Sequence, residues 1–365
     1  MSATMRDVAR RSGVSVATVS NVLHNTAPVA EPTRLRVLEA IEQLGYRQNE
    51  VARSLKRQTT HTLGVSIPDS LNPFHATLAL EVERRAHRDG FAVLVAETEN
   101  EPETEMAQVQ ALVGRRVDGV IFPAVTAGSA IPSELLDRGI PVVVVSFEGQ
   151  DERLGIIAVD EFAAMDEVVE HLLSLGHRRI AYVGMLTDRS TGAERLAGYM
   201  KAHDRAGVRK DPALRRLGPS DPDFARAAVS ELLNLADPPT ALLLGSNALT
   251  VGALRALRDA GLEMPRDLSL IGFGDPSWYA LWNPGITTVG TPLVEMAEAA
   301  SSALMRQLTS LAEVPERGNA HFSIDATFVL RGTTAPPHRL RNRRSARRTH
   351  DTRTRRAGSG SRPAP

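Results

Sequence analysis

The sequence predicts an all-α helix-turn-helix headpiece joined to an α/β core of two doubly wound parallel-sheet subdomains. Three observations carry that expectation. Residues 4–44 hold three short helical patterns separated by turn residues. From residue 63 onward, short continuous apolar runs alternate with amphipathic stretches, and the alternation occurs twice, as layered βα units require. Charge is also uneven although the formal net is zero. Residues 1–60 hold nine Lys/Arg and five Asp/Glu, residues 61–337 hold 24 and 37, and residues 338–365 hold ten and one. A basic front on an acidic body suits a protein that meets phosphate only at one end.

The first helix opens at Thr4, whose hydroxyl suits an N-cap, with Asp7 in the first turn facing the positive helix end. Val8 and Ala9 supply an apolar face before Gly13 ends it. Ser15 is a second cap candidate, and residues 16–23 form a second helix with Val19, Val22 and Leu23 facing inward. Helix, glycine-containing turn, helix is the spacing of a helix-turn-helix, whose second helix lies in the major groove of DNA. Pro32 starts a third helix, because its missing N–H costs nothing in the first turn. Leu35, Leu38, Ile41 and Leu44 recur along that helix until Gly45 closes it.

In the core, LGVSIP, FAVLVAE, VDGVIFP and PVVVVS read as buried parallel strands, and RIAYVG, TALLLGS and LSLIGF repeat the pattern after Asp160. Helical stretches at 79–88, 103–113, 194–206, 225–235 and 249–260 lie between them. Residues 291–311 read as a helix returning to the first subdomain and 325–330 as a late strand. Such sheets bind ligands at the carboxyl ends of their strands, and a cleft between two of them is a natural hinge.

Composition removes several function classes. With no cysteine there is no disulfide or thiolate chemistry. No apolar run reaches membrane-spanning length and the N-terminus lacks a signal-type apolar region, so a cytoplasmic protein without a membrane partner is expected. G-x-S-x-G and P-loop patterns are absent, IGFGDP is an incomplete G-x-G-x-x-G, and the ten histidines lack metal spacing. Hence no catalytic residue, metal or cofactor is expected. The arginine-rich segment 337–365 has no apolar face and is expected to be disordered, either inert or an auxiliary attraction for DNA. It carries no leucine heptad, so a homodimer is expected and not a coiled-coil tetramer.

The run DVARRSGVSVATVSNVLHN, followed by Val29, Thr33 and LGYRQNEVARSL, resembles the headpiece of LacI-type (lactose/galactose repressor family) regulators. Residues 63–336 resemble the effector-binding core of that family, which is related in fold to periplasmic sugar-binding proteins. The resemblance implies a headpiece at 1–47, a hinge helix and linker at 48–61, and a core at 62–336. Within the core it implies one subdomain at about 62–160 plus 291–330 and another at 161–290. It places Val16, Ala17 and Asn21 at base-reading positions, where Asn suits adenine and the apolar pair suits thymine methyls. Thr18, Ser20 and Arg34 are then expected on phosphates, and Thr4, Ser15 and Asn25 complete the headpiece contacts. In the hinge, Asn49, Ala52 and Leu55 match, with Leu55 as the minor-groove wedge. Gln48 stands where the family usually has proline.

For the cleft, the resemblance marks Asn72 and Phe74 in DSLNPF, Asp160, Arg195 in ERLAGY, Asn247, Asp275 and Trp278 as effector contacts. Packing or loop structure is the alternative for each. Ser246-Asn247 and Gly274 depart from the usual pattern, removing two carboxylates that accept sugar hydroxyls while Arg195 stays. A sugar acid or sugar phosphate therefore stands beside a neutral sugar as the expected effector. The function implied is a ligand-responsive repressor that binds pseudo-palindromic double-stranded DNA as a dimer. An activator or global regulator on the same scaffold, and a cytoplasmic carbohydrate-binding protein, are the alternatives.

Overall fold

The computed structural model describes residues 3–24, 26–46, 59–99, 101–123, 129–145, 151–187, 190–310 and 321–337. Asn25, the hinge positions Asn49, Ala52 and Leu55, and the arginine-rich tail from residue 338 lie outside the described residues. The chain divides into two compact units, Met1–His61 and Thr62–Pro365.

The first unit contains α1 (Met5–Ser12), α2 (Val16–His24) and α3 (Glu31–Leu44). Thr4 and Asp7 form a reciprocal capping box, with Asp7 N to Thr4 Oγ1 at 3.3 Å and Thr4 N to Asp7 Oδ2 at 3.0 Å. Two of the helix's orphan N–H groups are thereby satisfied. Gly13 ends α1 at φ 68°, a left-handed conformation that disfavours side chains. Ser15 caps α2, its hydroxyl accepting from Thr18 N at 3.0 Å. Val8, Ala9, Val19, Val22, Val37 and Ala40 form the buried centre.

The third helix differs from expectation. Leu35 and Leu38 are 57% and 44% exposed, and the inward stripe is Val37, Ala40, Ile41 and Leu44. These four follow i, i+3, i+4, i+7 spacing. Leu35, two residues or about 200° before Val37, falls on the far side.

The second unit holds two six-stranded sheets. The first is built from β1 (Thr62–Ile67), β2 (Ala92–Glu97), β3 (Gly119–Pro123), β4 (Val142–Val145), β5 (Gly155–Asp160) and β11 (His321–Asp325). Their order is β11-β5-β4-β3-β1-β2, parallel throughout. Helices α4 (Pro73–Arg88), α5 (Pro102–Gly114), α6 (Ile131–Asp137) and α12 (Leu293–Ser310) accompany it. The second sheet comprises β6 (Ile180–Met185), β7 (Arg215–Gly218), β8 (Ala241–Leu244), β9 (Ser269–Phe273), β10 (Thr287–Gly290) and β12 (Thr327–Val329). Its order is β12-β10-β9-β8-β6-β7, and only the β10–β12 pair is antiparallel. Helices α7 (Glu161–Ser174), α8 (Ser190–Arg205), α9 (Pro222–Leu233), α10 (Asn247–Ala260) and the short α11 (Trp278–Leu281) surround it. Val, Ile and Leu fill the central strands because both faces are covered.

The chain passes between the sheets three times, after Asp160, after Gly290 and after Asp325. The expected late strand at 325–330 is β12, in the second sheet, and an unforeseen strand, β11, precedes it in the first. Residues 327–330, expected in the first subdomain, belong to the second. The return is fastened there by Leu270 N to Thr333 O at 2.8 Å and Thr333 Oγ1 to Leu270 O at 2.7 Å. His177, buried at 1% exposure, adds Nε2 to Ala335 O at 2.9 Å, and His171 adds Nε2 to Thr334 Oγ1 at 3.1 Å. Both histidines are structural clasps for the chain's last crossing.

Candidate functional site

Within the headpiece, α2 presents Ser15, Val16 and Ala17 to solvent, with Val16 41% exposed. Thr18, Ser20 and Asn21 are half-buried along the same helix, while Val19 and Val22 point into the core. The Ser15 and Thr18 hydroxyls lie 2.8 Å apart. Asn21 Oδ1 accepts from Thr26 Oγ1 at 3.0 Å, which orients the amide. Thr4 is occupied as a cap, donating from Oγ1 to Asp7 Oδ2 at 2.6 Å. That hydroxyl holds the Asp7 carboxyl below its ordinary range. Arg34 sits in the first turn of α3, and Arg11 ties α1 to α3 through Gln43 at 2.8 and 3.1 Å.

In the second unit, the predicted effector residues gather at carboxyl ends of strands. Asn72 is the N-cap of α4, with Oδ1 accepting from Phe74 N at 3.0 Å. The same oxygen accepts from Asn247 Nδ2 at 3.0 Å, a direct bond from one subdomain to the other. Asn247 follows the cap residue Ser246, and its side chain lies within 3.8 Å of the position a Gly274 Cβ would take. Gly274 itself has φ 76°, where an aspartate would be strained. Asp275 is engaged bidentately by Arg331, both distances 2.8 Å.

Asp160 ends β5 and caps α7, with Oδ1 accepting from Ala163 N at 2.7 Å. Arg195 is brought in by α8, which lies tight against α7: a Cβ on Gly198 would meet Phe162 O at 2.4 Å. Its guanidinium donates from Nε to Glu161 Oε2 at 2.9 Å and from Nη2 to Glu161 Oε1 at 2.5 Å. Nη1 donates to the Gly245 carbonyl, and the group stacks 3.6 Å from the Phe273 ring centroid. Arg195 is 8% exposed.

Phe74 and Trp278 are less open than the resemblance implied. Phe74 packs partly into the first subdomain's core, edge-on to His75 at 5.3 Å. Trp278 packs against the second subdomain's core, edge-on to Tyr279 at 4.5 Å, whereas Trp282 is 41% exposed. Sequence reasoning missed Glu161, Arg331, Tyr182 and Phe273. Only Glu161 left a signal, as a second acid directly after Asp160. Among the described residues no group of three or more His, Asp or Glu side chains is placed to hold a metal, and no helix is long and apolar enough to cross a membrane.

Known proteins repeat this arrangement of modules. Residues 4–49 match the bacterial regulatory proteins, lacI family, and residues 169–334 match the periplasmic binding protein-like domain. The chain is 31% identical over 335 residues to the HTH-type transcriptional regulator RegA of Clostridium saccharobutylicum, covering 92% of this chain and 100% of that protein. It is 30% identical over 336 residues to the HTH-type transcriptional repressor CytR of Escherichia coli (strain K12), covering 91% and 96%. Its fold is similar to that of the lac repressor dimer bound to operator and the anti-inducer ONPF, with TM-score 0.79, 25% identity, and coverage of 92% and 100%. With a reading headpiece, a two-lobed core and near-complete coverage by these regulators, the chain belongs to the lacI family as a DNA-binding transcriptional regulator.

Proposed function

We propose that this protein is a ligand-responsive repressor that grips a pseudo-palindromic operator as a homodimer and binds a sugar or sugar derivative between the lobes of its core. Two headpieces place their α2 helices in successive major grooves, with Val16, Ala17 and Asn21 reading bases and Thr18, Ser20 and Arg34 setting register on phosphates. The hinge segment around Asn49, Ala52 and Leu55 deforms the centre of the site.

The observation that carries the regulatory half is the Asn72–Asn247 bond. It joins two lobes connected by three chain crossings, so a molecule entering between them must replace that bond and re-set the lobes' separation. The resulting effect on DNA affinity is limited by the ligand's differential affinity for the two arrangements, roughly 1–3 kcal/mol or 5–150-fold. The similar lac repressor dimer, bound to operator and the anti-inducer ONPF, supports the reading.

An electrophoretic shift on the protein's own promoter region tests it. The intact protein should retard the fragment at about 50 mM salt and lose affinity steeply with added salt. Protein lacking residues 1–46 should not bind, and sedimentation of the intact chain should give a dimer. Thermal-shift screening with sugars should find a ligand that raises the melting temperature of the core and alters the gel shift. Retention of binding without the headpiece, or indifference of the intact protein to DNA, would overturn the reading.

A further inference from the structure

We propose that Glu161 sets the charge of the effector: by closing on Arg195 it makes the cleft floor neutral, so the protein accepts an uncharged polyhydroxyl ligand and rejects sugar acids and sugar phosphates. The inference rests on the cleft being the effector site and specifies what that site takes.

Composition alone points the other way, since two carboxylates are missing and an arginine remains. Pairing reverses that balance. Both Glu161 oxygens are taken by Arg195, at 2.9 and 2.5 Å, with the two side chains only 6% and 10% exposed. In so dry a setting the ion pair behaves as one neutral group, its charges cancelling at short range. Arg331 and Asp275 also pair, at 2.8 Å, with side chains 20% and 30% exposed. Asp160 and Asp325 lie in register at the ends of adjacent strands β5 and β11, beside the crossing from which Glu161 emerges. An incoming anion therefore gains no uncompensated cation from Arg195 or Arg331 and approaches the two carboxylates of Asp160 and Asp325.

Hydrogen-bonding capacity remains. Three of the five Arg195 N–H groups are used, by Glu161 and by Gly245 O, leaving two donors in the described set. The Tyr182 hydroxyl is a second, independent sign. Tyr182 is fully buried and stacked on Tyr199 at 5.3 Å, and its oxygen has no hydrogen-bond partner among the described residues. That oxygen lies 2.5 and 2.9 Å from where Cβ atoms on Gly184 and Gly245 would stand. The two glycines thus make its room, and Gly245 is the residue whose carbonyl holds Arg195. Burial raises the phenol's pKa, so it stays protonated. A buried neutral donor–acceptor beside a neutral ion pair is completed by a hydroxyl group, the commonest feature of an uncharged sugar.

Glu161→Gln preserves shape and removes the charge. Inorganic phosphate is the probe, titrated by calorimetry into the full-length protein at constant ionic strength. The wild-type protein should show no saturable binding that depends on Arg195. E161Q should bind phosphate at least about tenfold more tightly, as an unmasked buried guanidinium would. The gain should vanish in the double variant E161Q/R195Q, which separates the cleft from surface arginines. Equal binding by wild type and E161Q, or a gain that survives in the double variant, overturns the proposal. Should E161Q fail to fold, the wild-type protein still decides. A larger rise in melting temperature with gluconate or glucose 6-phosphate than with glucose, abolished by Arg195→Lys, would sink it. A core unmoved by any neutral sugar would count against the effector reading and leaves the phosphate comparison intact.

Discussion

The headpiece and the core hold the side chains proposed to make contacts in opposite ways. On α2, Val16 and Ala17 stand in solvent, while Val19 and Val22 on another face hold the headpiece together. In the cleft the predicted contacts already serve the fold. Asp160 caps a helix, Arg195 is locked to Glu161, Asp275 to Arg331, and Asn72 to Phe74 N and Asn247. A surface that meets a large partner can separate recognition from stability, because unused groups there are solvated. Between packed lobes, a polar group without a partner carries a desolvation penalty, so the proposed ligand contacts are also structural bonds. Substitutions in the headpiece should therefore alter either folding or sequence choice, and those in the cleft should alter stability and response together.

The comparison can be broken most forcefully at Val19, which is fully buried. Val19→Asp places an unpaired charge in the headpiece core, at a cost of at least about 4 kcal/mol. DNA binding should disappear while the calorimetric transition of the second unit stays where it was; a parallel drop in that transition would show that the units do not fold separately. Next in size is Arg195→Ala, which strands the Glu161 carboxylate. The core should lose about 3–5 kcal/mol in urea, more than Glu161→Gln, and an unchanged urea midpoint would show that the pair is dispensable to the fold.

An acid effect of about 2 kcal/mol is expected from His75. Burial holds its folded pKa at about 4, below the ordinary 6.5, against a partial pull upward from Asp69 O. The unfolded chain takes up a proton below pH 6.5 and the folded chain does not until about pH 4. The contribution is thus complete above pH 6.5 and lost as pH falls to about 4. His75 is only half-buried by surface, which is why the full shift is discounted. His75→Gln should flatten this part of the urea-midpoint curve, and an identical curve would assign the slope elsewhere. His171, His177 and His203, also lowered by burial, share the sign.

The smallest stability change belongs to the reading head itself. Asn21→Arg should stay within about 0.5 kcal/mol of the parent while changing the preferred half-site in a binding-site selection. A uniform loss over all sequences would make Asn21 a positioning residue and blur the contrast with the cleft.

Legibility in the sequence followed the same division. Thr4, Asp7, Gly13 and Ser15 act through residues at most four away, so capping rules identified their roles from spacing. The continuous strands were visible because both their faces are apolar. Four strands were not. β7 reads RRLG at a sheet edge, β10 reads TTVG and β11 reads HFSID, so these three form no uninterrupted apolar run. β5, GIIAVD, is apolar up to its last residue and fits the rule, yet it is missing from the expected strands. On α3, Val37 and Ala40 fill the buried centre of the three helices with Ile41 and Leu44 packed beside them, whereas Leu35 and Leu38 lie outside it, a choice of face that leucine spacing alone does not fix.

By itself the order of residues determined the helix-turn-helix, the two βα series and the family, since each depends on local spacing or on dense similarity along the chain. Tertiary structure alone decided which charges cancel. Glu161 and Arg195 are 34 residues apart, Asp275 and Arg331 are 56, and Asn72 and Asn247 are 175. Whether such groups meet depends on how strands and crossings bring distant loops to one edge, and electrostatic energy depends on that distance and on burial, which neither composition nor spacing encodes.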